Sequence, residues 1–195
     1  MPPFAPPAAA RRHDIDALRA LAFCLLILYH WAMLYVFDWE WHIKSSYQSE
    51  AWQWPMLFVN RWRMDLIFLV SGIAAAFLLK PGAALRFAGQ RTWRLLLPLV
   101  FGMLVIVPIQ PYAQGVSNGL VEPGFWAFYG EYISRAHPWP EGAFDGWDSG
   151  ITWNHLWYLA YLWIYTLVLA VLAKPLASPL GQRLTGLFTN LRGAW

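Results

Sequence analysis

Long apolar runs separated by shorter polar stretches dominate the pattern of hydrophobic and polar positions along the chain. A helix that crosses the hydrocarbon of a bilayer takes about 20 predominantly apolar residues. By that measure the pattern predicts four spans, at residues 15–37, 56–79, 95–109 and 153–173. The fold class that follows is all-α, a polytopic integral membrane helix bundle with about four transmembrane helices.

The segments between the predicted spans differ in length and character. We expect the third span to be short, because Pro108 and Pro111 lie at its end. The pattern predicts a loop at 38–55, a basic turn at 80–94, a long Gly/Pro/Trp-rich loop at 110–152 and a mixed tail at 174–195. In domain terms, we predict a disordered tail at 1–12, one membrane domain at 13–175, and a cytoplasmic tail or the start of further helices at 176–195.

Composition strengthens the membrane assignment. The 195 residues are 58% hydrophobic and 13% charged, with 14 tryptophans, whereas a soluble domain carries roughly 25% charged residues. A net charge of +3, dispersed along the chain, gives no reason to expect a nucleic-acid partner. The single cysteine, Cys24, excludes a disulfide framework. The first apolar run is longer than a signal-peptide core and no small-x-small site follows it, so we interpret it as a retained helix.

Lysine and arginine set the expected orientation, because cytoplasmic loops are enriched in them. Ten of the 14 basic residues lie in the N-terminal segment, the 80–94 turn and the tail. The other four accompany most of the acidic residues in the two large loops and at the start of the second span. We therefore predict a multi-pass protein of the plasma (inner) membrane with both termini in the cytoplasm.

His30 is the main candidate for chemistry. It interrupts the apolar run "CLLILYHWAML", and ionisable groups at membrane depth count as functional-site candidates by default. Arg19 precedes it by eleven residues, which returns a helix to nearly the same face about 16 Å away. The plain alternatives are a histidine hydrogen-bonded to a neighbouring helix and an arginine that anchors the cytoplasmic end.

Five further residues are weaker candidates. Arg91 and Arg94 either anchor the membrane boundary or form a cationic clamp for phosphate groups. Asp65 is either a functional group or an interfacial partner of Arg61 or Arg63. Ser71, in "LVSGIAAA", fits helix packing better than nucleophilic chemistry. His155 starts the fourth span as either a buried partner or an interfacial residue.

Four motifs, taken in order, resemble the membrane-bound acyltransferase family 3, and especially its glucan-biosynthesis branch. They are "IDALRALAFCLLILYH" with its Arg-x10-His pair, "RWRMDLIFLVSG", "RTWRLLLPLVFGMLVIVP" and "NHLWYLAYLWIY". The resemblance covers about residues 11–175 and implies O-acylation of an extracytoplasmic carbohydrate. It also implies a cytoplasmic acyl donor, acyl-CoA as co-substrate, with no cofactor and no metal.

The resemblance also implies residue roles. His30 would be the catalytic base, and Arg19, Arg91 and Arg94 would bind the donor, with Asp65, Ser71 and His155 as supporting candidates. The partners it implies are the lipid bilayer, the acyl donor and the carbohydrate acceptor. The family core has about ten helices and often an acid after its "LW-x-L" motif, whereas this chain offers four spans and no acid there. We therefore expect an N-terminal portion of such an enzyme that associates with itself or with a partner.

Two functions of other classes remain as alternatives. His30 and His155, predicted at similar depths, could form the two axial ligands of a haem-binding membrane subunit. That function leaves Arg91 and Arg94 without a role. Half of a secondary transporter would show repeat symmetry and broken helices, and the sequence has no visible repeat.

Overall fold

The computed structural model of this chain describes residues 13–134, 139–144, 151–183 and 186. The α-helices are α1 (His13–Ala32), α2 (Gln53–Leu78), α3 (Ala84–Phe101), α4 (Ile109–Ser117), α5 (Phe125–Ser134) and α6 (Trp157–Ala177). A π-helical turn, Gly102–Ile106, joins α3 to α4, and 3-10 turns precede α2 and α6 at Glu50–Trp52 and Asn154–Leu156. The predicted all-α class is confirmed.

The chain is divided into two compact units. The first comprises Met1–Trp39 and Lys44–Ile73, and the second comprises Glu40–Ile43 and Ala74–Trp195. The first unit therefore contains α1 and most of α2. The second contains α3 to α6 together with a four-residue piece of the loop that follows α1.

In the first unit, α1 ends earlier than the apolar run predicts. The expected span reached residue 37, but the helix stops at Ala32. Lys44 Nζ donates hydrogen bonds to the carbonyls of Met33 (3.3 Å) and Val36 (2.6 Å). Val36 also forms an isolated parallel bridge with Ser49. These contacts satisfy backbone groups that would form helical hydrogen bonds if α1 continued. Burial of Lys44 lowers the pKa of its ammonium group.

In the second unit, two expected boundaries are wrong. Residues 84–94, predicted as a turn, are helical, because the turn is confined to Lys80–Ala83 with Gly82 at φ 75°. Pro108 and Pro111 do not end the helix either. Helical structure continues over Ala84–Ser117, 34 residues in all.

The prolines are tolerated because their missing N–H donors are replaced. Pro108 cannot donate to the carbonyl of Leu104, and the Tyr129 hydroxyl donates to it instead at 3.0 Å. Upstream, the backbone widens into the π-helical turn, in which Val107 N donates to Gly102 O at 2.8 Å. Re-satisfying backbone groups in this way is how proline is accommodated in membrane helices.

Helices α3 and α6 pack against each other in this unit. Trp163 Nε1 donates to Thr92 Oγ1 at 2.9 Å and ties the two helices together. Gly102 allows a close approach to the turn before α6, since a Cβ there would collide with the Leu156 side chain.

The segment predicted as a long loop at 110–152 contains α4, α5 and a small core of its own. Val121, Phe128, Tyr132, Ala143 and Phe144 form this core. Trp139 packs on Phe128 with ring centroids 4.9 Å apart. The loop prediction was wrong for these helices because the aromatic residues fill a core. A high Gly and Pro content in the sequence does not reveal such packing.

Within the part of the chain that the structure describes, three helical stretches are long and apolar enough to cross a membrane: His13–Ala32, Ala84–Ser117 and Asn154–Ala177. They correspond to the first, third and fourth predicted spans. The second predicted span is one continuous helix of 26 residues, α2, with Arg61, Arg63 and Asp65 in its first half. Large apolar side chains stay exposed on these helices, such as Ile27 at 67% and Val171 at 75%, as expected of surfaces that contact lipid.

Candidate functional site

His30 lies in the last turn of α1, in the first unit, and is half-buried. Its Nδ1 lies 2.7 Å from the carbonyl oxygen of Leu26, one helical turn earlier. Because a carbonyl oxygen only accepts, Nδ1 carries the hydrogen and donates it. The neutral ring therefore has its lone pair on Nε2, the atom a general base would use.

The other first-unit candidates lie along α1 and α2. Arg19 is half-buried and shares the unbroken helix α1 with His30, so the two keep the predicted common face. On α2, Asp65 is exposed and Ser71 is half-buried.

Arg63 is a feature of this unit whose significance sequence reasoning missed. Its Cζ lies 3.3 Å from the centroid of the Tyr29 ring, a cation–π contact. The Nε and Nη1 atoms are buried and have no hydrogen-bond partner among the residues that the structure describes. The available signal was an arginine in the interior of an apolar helix. The sequence alone suggests only a partner for Asp65, a role that the unpaired donors do not support.

Arg91 and Arg94 belong to α3, in the second unit. Arg91 is half-buried and Arg94 is exposed. Between them, Thr92 accepts the hydrogen bond from Trp163 of α6. The spacing of three places both guanidinium groups on neighbouring positions of one helix face.

A cleft of about 280 Å³ opens at the beginning of α3. Its lining includes two cations, Lys80 and Arg86, together with Gln90, which immediately precedes Arg91. The sequence marked this region only as a basic turn. Helical structure from Ala84 onward is what gives its cations a defined surface.

A second polar cluster was also missed. His42 Nδ1 donates to Gln114 Oε1 at 2.8 Å, and Asn154 Nδ2 lies 3.1 Å from His42 Nε2. The same Asn154 nitrogen donates to Gln110 Oε1 at 2.8 Å. We call these four residues the amide–histidine cluster. It joins the 40–43 loop, α4 and the turn before α6 within the second unit.

His155 is half-buried in the 3-10 turn Asn154–Leu156. The residue of this turn that belongs to the amide–histidine cluster is its neighbour Asn154. For metal binding, no group of three or more His, Cys, Asp or Glu side chains with suitable geometry occurs among the residues in the described ranges.

The chain has relatives among known proteins. It is 27% identical over 168 residues to proteins named glucans biosynthesis protein C from Salmonella paratyphi B, Salmonella heidelberg and Salmonella agona. Each alignment covers 82% of this chain and 38% of the relative. The chain therefore spans little more than a third of the length of these curated relatives. No solved structure matches significantly.

A family model described as an acyltransferase domain, of the acyltransferase 3 type, matches residues 12–190. That range takes in α1 to α6, and it contains all four motifs in which the resemblance was recognised. It includes the helices long and apolar enough to cross a membrane, which fits an integral membrane protein. The chain belongs to the acyltransferase 3 family.

Proposed function

We propose that this chain takes part in transferring an acyl group from a cytoplasmic thioester donor, acyl-CoA, to a hydroxyl of an extracytoplasmic carbohydrate such as a glucan. Family membership supports acyl transfer, and the name of the relatives points toward a glucan. The observation that carries the proposal is the hydrogen bond from His30 Nδ1 to the Leu26 carbonyl. It leaves Nε2 with the lone pair that a general base requires.

In the proposed reaction, His30 Nε2 takes the proton of the acceptor hydroxyl as its oxygen attacks the thioester carbonyl carbon. The carbonyl π electrons move onto the carbonyl oxygen. When they return, the carbon–sulfur bond breaks, and the thiolate recovers the proton from the imidazolium. The products are the carbohydrate ester and the free thiol, so the donor supplies everything that the step needs and no further cofactor is involved.

We assign donor binding to Arg19, Arg91 and Arg94. Forked guanidinium groups suit the phosphates of an acyl-CoA, and the cleft with Lys80 and Arg86 adds positive charge next to α3. Asp65, Ser71 and His155 remain supporting candidates. The basic residues favour an inner-membrane protein with both termini in the cytoplasm. Assembly with a second copy or with a partner chain stays part of the proposal.

The central test compares His30→Ala with a matched control, His13→Ala, which alters an exposed histidine at the start of the same helix. Acylation of cell-surface glucans is measured by mass spectrometry in a strain that lacks the gene and carries each variant. We expect His30→Ala to abolish acylation, with membrane insertion unchanged, and His13→Ala to retain it.

Binding of acyl-CoA to membranes from the same strains separates the two assigned roles. His30→Ala should still bind the donor, whereas the triple Arg→Ala variant at Arg19, Arg91 and Arg94 should not. Acylation that persists in His30→Ala removes this histidine from the mechanism. Donor binding that survives the triple change removes the arginines from theirs.

A further inference from the structure

Arg63 has no part in the reaction scheme above, although its surroundings are unusual for an arginine. Two of its nitrogen atoms, Nε and Nη1, are buried and lack a hydrogen-bond partner among the residues that the structure describes. A guanidinium stays charged under all ordinary conditions. Leaving a buried donor unpaired is costly, and more so for a charged group. An unsatisfied group of this kind points to an acceptor supplied by a ligand.

The contact with Tyr29 holds this guanidinium in place without satisfying it. The Arg63 Cζ atom lies 3.3 Å from the Tyr29 ring centroid, and Tyr29 is only 6% exposed. The aromatic face attracts the positive charge, but it offers no oxygen to the two N–H groups. Arg63 therefore holds two N–H donors in a fixed position with no acceptor among the described residues.

The same tyrosine sets an upper limit on the distance between Arg63 and the proposed base. Tyr29 directly precedes His30, and the centroids of their rings are 5.9 Å apart. The distance from Arg63 Cζ and the distance from the His30 ring centre both end at the Tyr29 ring centroid. The guanidinium carbon and the imidazole centre can therefore be no farther apart than the sum of these two distances. All three residues belong to the first unit.

We propose that Arg63 binds the carbonyl oxygen of the acyl group and stabilises the negative charge that develops on it during transfer. The inference rests on the proposed function, since it takes His30 as the base and a thioester as the donor. His30 Nε2 receives the hydroxyl proton, the hydroxyl oxygen bonds to the carbonyl carbon, and the carbonyl oxygen becomes an oxyanion. The Arg63 N–H groups donate to that oxyanion until the carbon–sulfur bond breaks and the thiolate takes the proton back from His30.

The proposed reaction requires three short distances between the base and the oxyanion donor. A base lies about 3 Å from the hydroxyl oxygen whose proton it takes. That oxygen approaches the carbonyl carbon to about 3 Å, and an oxyanion donor lies about 3 Å from the carbonyl oxygen. The upper bound that the Tyr29 ring sets on the distance between Arg63 and His30 allows one acyl group to contact both residues.

Arg61 provides a matched control. It is on the same helix two residues earlier and is exposed. Both arginines are changed to glutamine in the chain in its native membranes, and the initial rate of acyl transfer to a glucan is measured against acyl-CoA concentration. We expect Arg63→Gln to lower kcat by about 10²–10³-fold, the usual effect of removing an oxyanion donor. The KM for the donor should stay within about threefold, and Arg61→Gln should change neither constant by more than about twofold.

Two more measurements distinguish the oxyanion role from a purely structural one. Membrane insertion and thermal unfolding are recorded for each variant, and Arg63→Ala is assayed with added guanidinium ion. An added cation can occupy the vacated space, so we expect it to restore part of the rate. Arg63→Lys, which keeps the charge and loses the fork, should fall between wild type and Arg63→Gln.

The outcomes separate the two proposals. A kcat for Arg63→Gln within about threefold of wild type overturns the inference and leaves the proposed function standing. So does a loss of rate that follows a loss of stability and does not respond to guanidinium. If wild-type membranes transfer no acyl group, the proposed function itself fails, and the inference fails with it.

Discussion

Asn154 shows how much a single residue contributes to the second unit. Its φ of 41° lies in the left-handed region, which asparagine tolerates better than most side chains. Its amide nitrogen is shared between His42 Nε2 and Gln110 Oε1. The backbone at position 154 therefore requires a residue that tolerates positive φ, and the side-chain hydrogen bonds require an amide nitrogen.

Two substitutions separate those demands. Asn154→Ala loses the side-chain hydrogen bonds and also puts a less tolerant residue at positive φ, whereas Asn154→Gly loses only the bonds. We expect Ala to destabilise the protein more than Gly by about 1 kcal/mol. Thermal unfolding of the detergent-solubilised protein measures the difference. An Ala variant as stable as the Gly variant would show that the left-handed backbone carries no strain.

At the scale of elements, the helical stretch from α3 to α4 depends on a contact from α5. The Leu104 carbonyl would have no donor on its own helix, since Pro108 has no N–H, and the Tyr129 hydroxyl takes that place. The stretch crosses two prolines because tertiary structure supplies what the local backbone lacks.

Tyr129→Phe tests this dependence by removing only the hydroxyl. We expect a loss of about 0.5–1.5 kcal/mol in the free energy of unfolding, the usual net contribution of one hydrogen bond. The control is Tyr161→Phe on α6, where the ring is exposed at 44% and only ring contacts are involved. Thermal unfolding of both variants in detergent provides the comparison. Equal stability of the two would mean that water satisfies the Leu104 carbonyl.

For the whole molecule, the distribution of basic residues remains the argument for topology. Ten of the 14 lie in the segments predicted to face the cytoplasm. In the described ranges, three helical stretches have the length and apolarity to cross the membrane. Helix α2, the second predicted span, is 26 residues long but is not among them. Its charged first half contains Arg63, which contacts the Tyr29 ring.

Single cysteines in a Cys24→Ser background test the topology. Ser46, Ser117 and Gly89 are exposed positions with ordinary backbone conformations. With an impermeant maleimide and intact cells, we expect Ser46→Cys and Ser117→Cys to be labelled and Gly89→Cys to react only after lysis. The physical reason is that the 80–94 region carries four basic residues, and loops enriched in lysine and arginine tend to stay on the cytoplasmic side. Labelling of Gly89→Cys from outside would refute the orientation.

The sequence by itself determined the properties that depend on neighbouring residues. Apolar runs long enough for a bilayer predicted the helices, and a spacing of eleven residues placed Arg19 and His30 on one face of α1. The ordered motifs predicted the family that the comparison then showed. Helix periodicity and hydrophobicity are local properties, and for that reason they can be read without a fold.

Only the tertiary structure decided which distant side chains meet. Tyr29 and Arg63 come from different helices, and His42 and Asn154 are 112 positions apart in the chain. Neither pair has a signature in its local sequence. Pro108 shows the same limit of local sequence. By local rules it should end a helix, because it has no N–H donor. Helical structure continues here because the Tyr129 hydroxyl is close enough to replace that donor. Long-range packing sets these contacts, and they define the chemistry of the candidate site.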